Sequence, residues 1–334
     1  MVFMNSLQKR TDEDRVVTAQ VSIGESNGLW RVIWNEPADD GEMRQTQWFE
    51  GSSWSEMMKT FRGEVLQKMA EGYAPMLDGV ADELQSISGR AEMIQKLYYY
   101  SDLHKRDEVY EKLRVWRRTQ AGKENKAPYM VATNRLLALL STFLPQTADE
   151  LMQLPGFGQF KANLYGKEIM AITATADREH SFPLDWVPER IDSVQYKLWI
   201  HHQQLAFEER ERQRKGQRIA VLEGARSGMK LEQLEQVNVP RREAINLLEE
   251  LDKDGYDIDA VIHAELSTVP EEQQKQALAA FEQVGDRYLK PIVRSLFGEE
   301  GLKGKESERA YEWLRLLRIR FRREKESKAA AKAG

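Results

Sequence analysis

The chain has 334 residues, no cysteine, 49 basic and 54 acidic side chains and a formal net charge of −5. A content of 31% charged and 41% hydrophobic residues suits several small helical units better than one large core. The missing thiols exclude disulfides and thiolate metal sites, no apolar run reaches the ~20 residues of a membrane helix, and the N-terminus lacks a signal-peptide apolar region, so the expectation is a cytoplasmic protein with no membrane partner.

Residues 15–50 read as strands. Val17, Ala19, Val21 and Ile23 alternate with polar residues, the period of a half-buried strand. Ser26-Asn27-Gly28 signals a turn into Leu29–Trp34, and a third strand fits Gln45–Glu50. Ser52 or Ser53 then caps a helix whose Trp54, Met57, Met58, Phe61, Val65 and Met69 share one face up to Gly72. The expectation for residues 1–80 is a small α+β domain, a three-stranded sheet covered by one helix. Trp30, Trp34, Trp48 and Trp54 concentrate there, either packing in that sheet or forming a stacking platform for single strands.

From Val80 onward the pattern is almost entirely helical. Residues 81–106 read as a connecting helix carrying Tyr98, Tyr99 and Tyr100. Residues 107–176 hold four further helical stretches. In the first, Tyr110, Leu113 and Trp116 share a face, while Arg114, Arg117 and Arg118 are expected to point to solvent. Thr133 or Asn134 caps the next, which carries Arg135; Arg117, Arg118 and Arg135 are candidate nucleic-acid contacts. Thr147 with Glu150 forms a capping box after Pro145. Pro155-Gly156-Phe157-Gly158 makes a tight turn into the last helix, over residues 159–172.

Leu113-Arg114 with Trp116-Arg117-Arg118, Pro128-Tyr129, Leu144-Pro145, Glu150-Leu151, Leu154-Pro155-Gly156-Phe157-Gly158 and Tyr165-Gly166, in that order and spacing, resemble the HRDC family, the domain shared by RecQ helicases and RNase D. The polar stretch Gly122–Ala127 departs from the pattern like an insertion. The resemblance implies a helical bundle with an auxiliary nucleic-acid-binding role beside a catalytic domain. Physically, a Gly-x-Gly turn into a helix leaves backbone N–H groups and a positive helix end for a phosphate, or merely allows a tight helix connection. Gln159, Lys161 and Lys167 accompany that end. Nine basic and seven acidic residues within 107–168 leave this segment at +2. That predicts weak, salt-sensitive binding, with Kd on the order of 10⁻⁴–10⁻⁶ M. Trp116, Tyr129, Phe157 and Tyr165 are expected in the core.

Residues 177–204 read as a proline-broken linker and the start of a long charged helix. Residues 205–327 continue as a helical region. There Leu231, Leu234 and Val237 line a short helix, Asn238-Val239-Pro240 turns, and Ile245, Leu248 and Leu251 line the next, a helix-turn-helix pattern. Arg241, Arg242 and Asn246 lead its last helix as candidate phosphate or base contacts. Gly255, Asp257-Ile258-Asp259, Phe281, Gly285 and Leu289-Lys290-Pro291-Ile292 resemble the helicase-associated helix-turn-helix region near the C-terminus of some RecQ-type proteins. Eight basic and three acidic residues between Arg309 and Lys328 give a local +5, an expected phosphate-binding arm using Arg315, Arg318, Arg322 and Arg323. Such a basic amphipathic helix also suits a membrane surface or a partner. Residues 328–334 read as a disordered tail.

No phosphate-loop spacing surrounds Gly304-Lys305, the expected strands carry no Asp-x-Glu pair, and His201-His202 diverge on a charged helix. The sequence therefore predicts a mainly α, multi-domain, non-catalytic protein with no cofactor. Its expected partners are nucleic acid, DNA before RNA, and a RecQ-type helicase.

Overall fold

A computed structural model describes residues 1–11, 15–38, 41–76, 89–298 and 302–333, with side chains through 327. The chain divides into two compact units, Met1–Gln204 and Leu205–Gly334.

The first unit opens on an antiparallel sheet of β1 (Phe3–Arg10), β2 (Val16–Ser26), β3 (Leu29–Pro37), β4 (Met43–Gly51) and the two-residue β5 (Ala74–Pro75), ordered β4-β3-β2-β1-β5. The three expected strands are present, and β1 and β5 are additions. Helix α1 (Trp54–Ala70), capped by Ser53 accepting from the Glu56 N–H, lays Met57, Phe61 and Val65 on Leu7, Val21, Val32 and Trp34. The tryptophans pair with one another, Trp34 stacked on Trp48 at 5.0 Å and Trp30 edge-on to Trp54 at 4.5 Å, as the packing alternative requires. The end of this domain, expected at residue 80, and the start of the helix expected from residue 81 lie outside the described residues.

Helix α2 (Arg90–His104) leads into α3 (Asp107–Lys123), α4 (Pro128–Val131), α5 (Asn134–Phe143), α6 (Ala148–Gln153) and α7 (Gln159–Thr173). Leu113, Leu137, Leu140, Leu144 and Leu151 are fully buried in their common core, each worth roughly 1.5–3 kcal/mol of apolar burial. The local signals explain the breaks. Thr133 caps α5 and Thr147 caps α6. Glu150 accepts from the Gln146 N–H at 2.7 Å, one residue before the cap, and is held by Arg178 at 2.8 Å. Leu144 ends α5 in the left-handed region at φ 49°, a strained choice for leucine. Full burial of its side chain holds it there, and the Pro145 carbonyl accepts from Thr173 Oγ1 at 2.6 Å.

A 3₁₀ segment, Leu184–Arg190, returns the chain to this core, and α8 (Ser193–Arg226) follows. The division between the units falls within α8. In the first unit, His201 is buried where α8 meets α1, and a Cβ on Gly63 would lie 2.3 Å from His201 Nε2.

The second unit holds α9 (Leu231–Gln236), α10 (Arg241–Lys253), α11 (Asp259–Leu266), α12 (Glu271–Val284), α13 (Leu289–Phe297) and α14 (Gly304–Ala333). The helix-turn-helix spacing is present as α9 and α10. Its apolar lock differs: Val237 is exposed, and Val239, within the turn, is the buried residue. Helix α14 runs on through Ala333, into the residues expected as a tail. No described helix is long and apolar enough to cross a membrane.

Candidate nucleic-acid interface

The turn Pro155–Gly158 feeds α7 as expected. Gly156 is exposed at φ +85° with open space about it, a conformation glycine adopts freely. Gly158 is the N-cap of α7 and supplies no side-chain cap, so the first N–H groups of the helix face outward unpartnered by a side chain. Gln159 is exposed, with its amide turned to Asn163 at 3.0 Å. Lys161 is half-buried and Lys167 exposed.

The outer face of α7 holds two residues the sequence reading passed over. Phe160 is 77% exposed, and Leu164, one turn on, is also exposed. With Lys167 they form an i, i+4, i+7 stripe. The available signal was the helical period, since Ala162, Tyr165 and Ile169 take the inner face and leave 160, 164 and 167 outside.

Two of the candidate arginines make contacts within the fold. Arg117, expected in solvent, turns inward and donates from Nη1 to the Ala132 carbonyl and to Asn134 Oδ1, both at 2.9 Å, tying α3 to the α4–α5 connection. Arg135 lies over the rings of Tyr98 at 4.7 Å and Trp199 at 5.8 Å. Both contacts suit the planar guanidinium, which donates in a fixed fork and stacks on aromatic faces. Arg114 pairs with Glu111, and Arg118 remains exposed.

Of the four aromatics expected in the core, Phe157 and Tyr165 are buried, Trp116 is half-buried and Tyr129 is 69% exposed. Trp116 packs edge-on to Tyr165 at 5.6 Å and donates Nε1 to Glu168 at 2.5 Å. The departure Gly122–Ala127 has a structural purpose. It brings Glu124, at the end of α3, onto the Tyr165 hydroxyl at 2.8 Å, with Lys126 at 2.7 Å and Gln120 at 2.8 Å. Hydrogen bonds from Lys126, Gln120 and Tyr165 hold the Glu124 carboxyl down at about 2. Burial, with the carboxylate beside it, pushes the Tyr165 hydroxyl up to about 12.

Residues 106–173 match the HRDC domain family. HRDC domains are in general associated with nucleic acid, and the match agrees with the resemblance read from the motifs. No curated protein and no solved structure matches the chain.

Beyond the HRDC module, the expected phosphate contacts of the second unit sit among that unit's own carboxylates. Helix α14 is no free arm, because Leu314, Leu316, Leu317 and Ile319 bury it in the unit's core. Its arginines are held by carboxylates of the same unit. Arg315 and Arg318 share Glu249, Arg322 pairs with Asp286, and Arg323 reaches both Asp252 at 2.5 Å and Asp259 at 2.7 Å. Burial works against charge on Glu249, but the two guanidiniums outweigh it and its carboxyl sits below the usual range. The Arg322 hydrogen bond likewise lowers Asp286.

On α10, Arg241 faces Glu312 of α14 at 3.0 Å and Asn246 accepts from Arg315 at 2.7 Å, so the leading residues of the supposed recognition helix are covered. Arg242 alone of the three is exposed. The acidic run on α10 is matched on its other side as well, Glu250 by Arg214 and Asp254 by Arg218. Among the described residues, no three His, Asp or Glu side chains converge as a metal site.

Proposed function

We propose that this chain is a non-catalytic, cytoplasmic nucleic-acid-binding accessory protein, preferring single-stranded or branched DNA. It acts beside a helicase or nuclease carried on another chain. The HRDC match at 106–173 carries this reading. The outer face of α7 supplies the means: an open helix end for phosphate, Lys161 and Lys167 for the backbone, and Phe160 for a base. The module's small positive excess makes the binding weak and strongly salt-dependent. The RecQ-like character of the C-terminal region belongs to the same proposal. Titrating single-stranded and branched DNA across salt concentrations tests the reading. Binding that fades linearly with log salt supports it, and no binding at low salt removes it.

A second reading, a protein-interaction scaffold, is favoured by one observation: the arginines expected to hold phosphate in the C-terminal unit are satisfied by that unit's own carboxylates. A specific protein retained on the chain after nuclease treatment, with no DNA binding, would select it.

A further inference from the structure

A second feature of the first unit lies apart from the α7 face. A cavity of about 200 Å³ opens between the C-terminal end of α2, the end of α5 and the segment leading to Leu184. Its walls are aromatic. Tyr100 packs on His104 at 4.2 Å and edge-on to Trp186 at 5.3 Å, and His180 lies 4.4 Å from Trp186. Cations line it: Arg106 and Arg178, with the imidazoles of His104 and His180 beside them. Among the described residues, the one carboxylate in its lining is Glu179, which meets Arg106 at 3.0 Å and is 77% exposed. An ion pair that exposed is worth little, so an incoming anion displaces Glu179 at small cost. Arg178 is engaged by Glu150 through one nitrogen, Nη1, at 2.8 Å. The volume lies below the range of drug-sized pockets and suits one ring system with an anion at its edge.

We propose that this cavity takes a single phosphorylated nucleotide, its base among Tyr100, His104 and Trp186 and its phosphate against Arg106, Arg178 and His180. Aromatic faces accept any base, and guanidinium with imidazole suits a terminal phosphate, whose charge exceeds that of an internal diester. The inference rests on the reading that the chain binds nucleic acid, and adds that it recognises a phosphorylated strand end or a free nucleotide.

The test uses the full chain and four forms of one single-stranded sequence: a 5′-phosphorylated linear strand, a 3′-phosphorylated one, an unphosphorylated one and a closed circle. A phosphorylated end is expected to bind about tenfold tighter than the unphosphorylated strand or the circle, the worth of one charge-assisted contact. Arg106→Gln combined with His180→Gln removes that preference and leaves circle binding unchanged. Glu179→Gln, which cannot act by unfolding the site, widens the preference. A nucleoside monophosphate that competes at its own low concentration assigns the free nucleotide, and competition only at large excess assigns the strand end. Equal affinity for all four strands overturns this inference while leaving the nucleic-acid reading intact. Loss of binding to every strand, circle included, overturns both.

Discussion

Arg315 grips Glu249 with both arms of its guanidinium, Nε to Oε1 at 3.0 Å and Nη2 to Oε2 at 2.6 Å. The two residues are 66 positions apart, on α14 and α10, and Arg318 adds a third contact to the same carboxylate at 3.0 Å. Glu249→Gln leaves two partly buried guanidiniums facing a neutral amide, and costs about 1.5–3 kcal/mol. Urea unfolding of wild type and variant at pH 7 measures it. Because the folded carboxyl titrates below its ordinary value, its contribution is fully present above the usual carboxylate range and is lost as pH falls through the folded value. The gap between the two proteins therefore narrows toward strong acid. A gap that is absent at pH 7, or constant down to strong acid, contradicts this account.

The same pairing separates the lysines of α7 from the arginines of α14 as DNA contacts. Lys161→Gln with Lys167→Gln is expected to flatten the dependence of log affinity on log salt by about 0.7 per lysine on single strands. Arg322→Gln with Arg323→Gln is expected to leave that slope unchanged while lowering the urea midpoint, because those side chains hold Asp286, Asp252 and Asp259. The reverse pattern would return the binding surface to α14.

How far the sequence led differs between the units for a physical reason. The HRDC module was legible because its signals are local. Thr133 and Thr147 cap, Leu144-Pro145 stops a helix, and Gly156 and Gly158 turn, all within a few residues of their effects. Strand β1 was missed because Asn5 occupies a buried position where the alternation calls for an apolar side chain. Strand β5 is only two residues long and has no period to read. The local +5 near the C-terminus was a correct count, but the carboxylates that Arg315, Arg318, Arg322 and Arg323 meet lie dozens of residues away in the sequence. The contacts of Arg117 and Arg135 were out of reach in the same way, since tertiary packing supplies their partners. Phe160 could have been read from helical period alone.

Phe160 provides a cleaner probe than any charge. At 77% exposure it contributes little to packing, so Phe160→Ala should change stability by no more than about 0.5 kcal/mol. If it stacks a base, the same change costs single-strand affinity about fivefold or more, and duplex affinity far less. Parallel titrations of single-stranded and duplex DNA at one salt concentration decide it. Equal losses on both, or none, would remove Phe160 from the interface.

The contact between Tyr165 and Glu124 makes an alkaline prediction. Tyr165→Phe keeps the ring against Trp116 and removes only the hydroxyl that Glu124 accepts, costing about 1 kcal/mol near neutral pH. The folded hydroxyl is pushed up to about 12 by burial and then by Glu124, against an unfolded value near 10. A raised folded value gives stability that is complete below the unfolded one and is lost as pH rises through the folded one. Above pH of about 10 the unfolded wild type ionises while its folded form does not, and the phenylalanine variant escapes that penalty. The advantage of wild type over Tyr165→Phe should therefore be constant from neutral pH to about 10 and shrink steadily above it. Urea midpoints for the two proteins at pH values on either side of that point provide the measurement. An advantage that stays level into strong alkali would mean that the hydroxyl ionises normally and that Glu124 does not hold it.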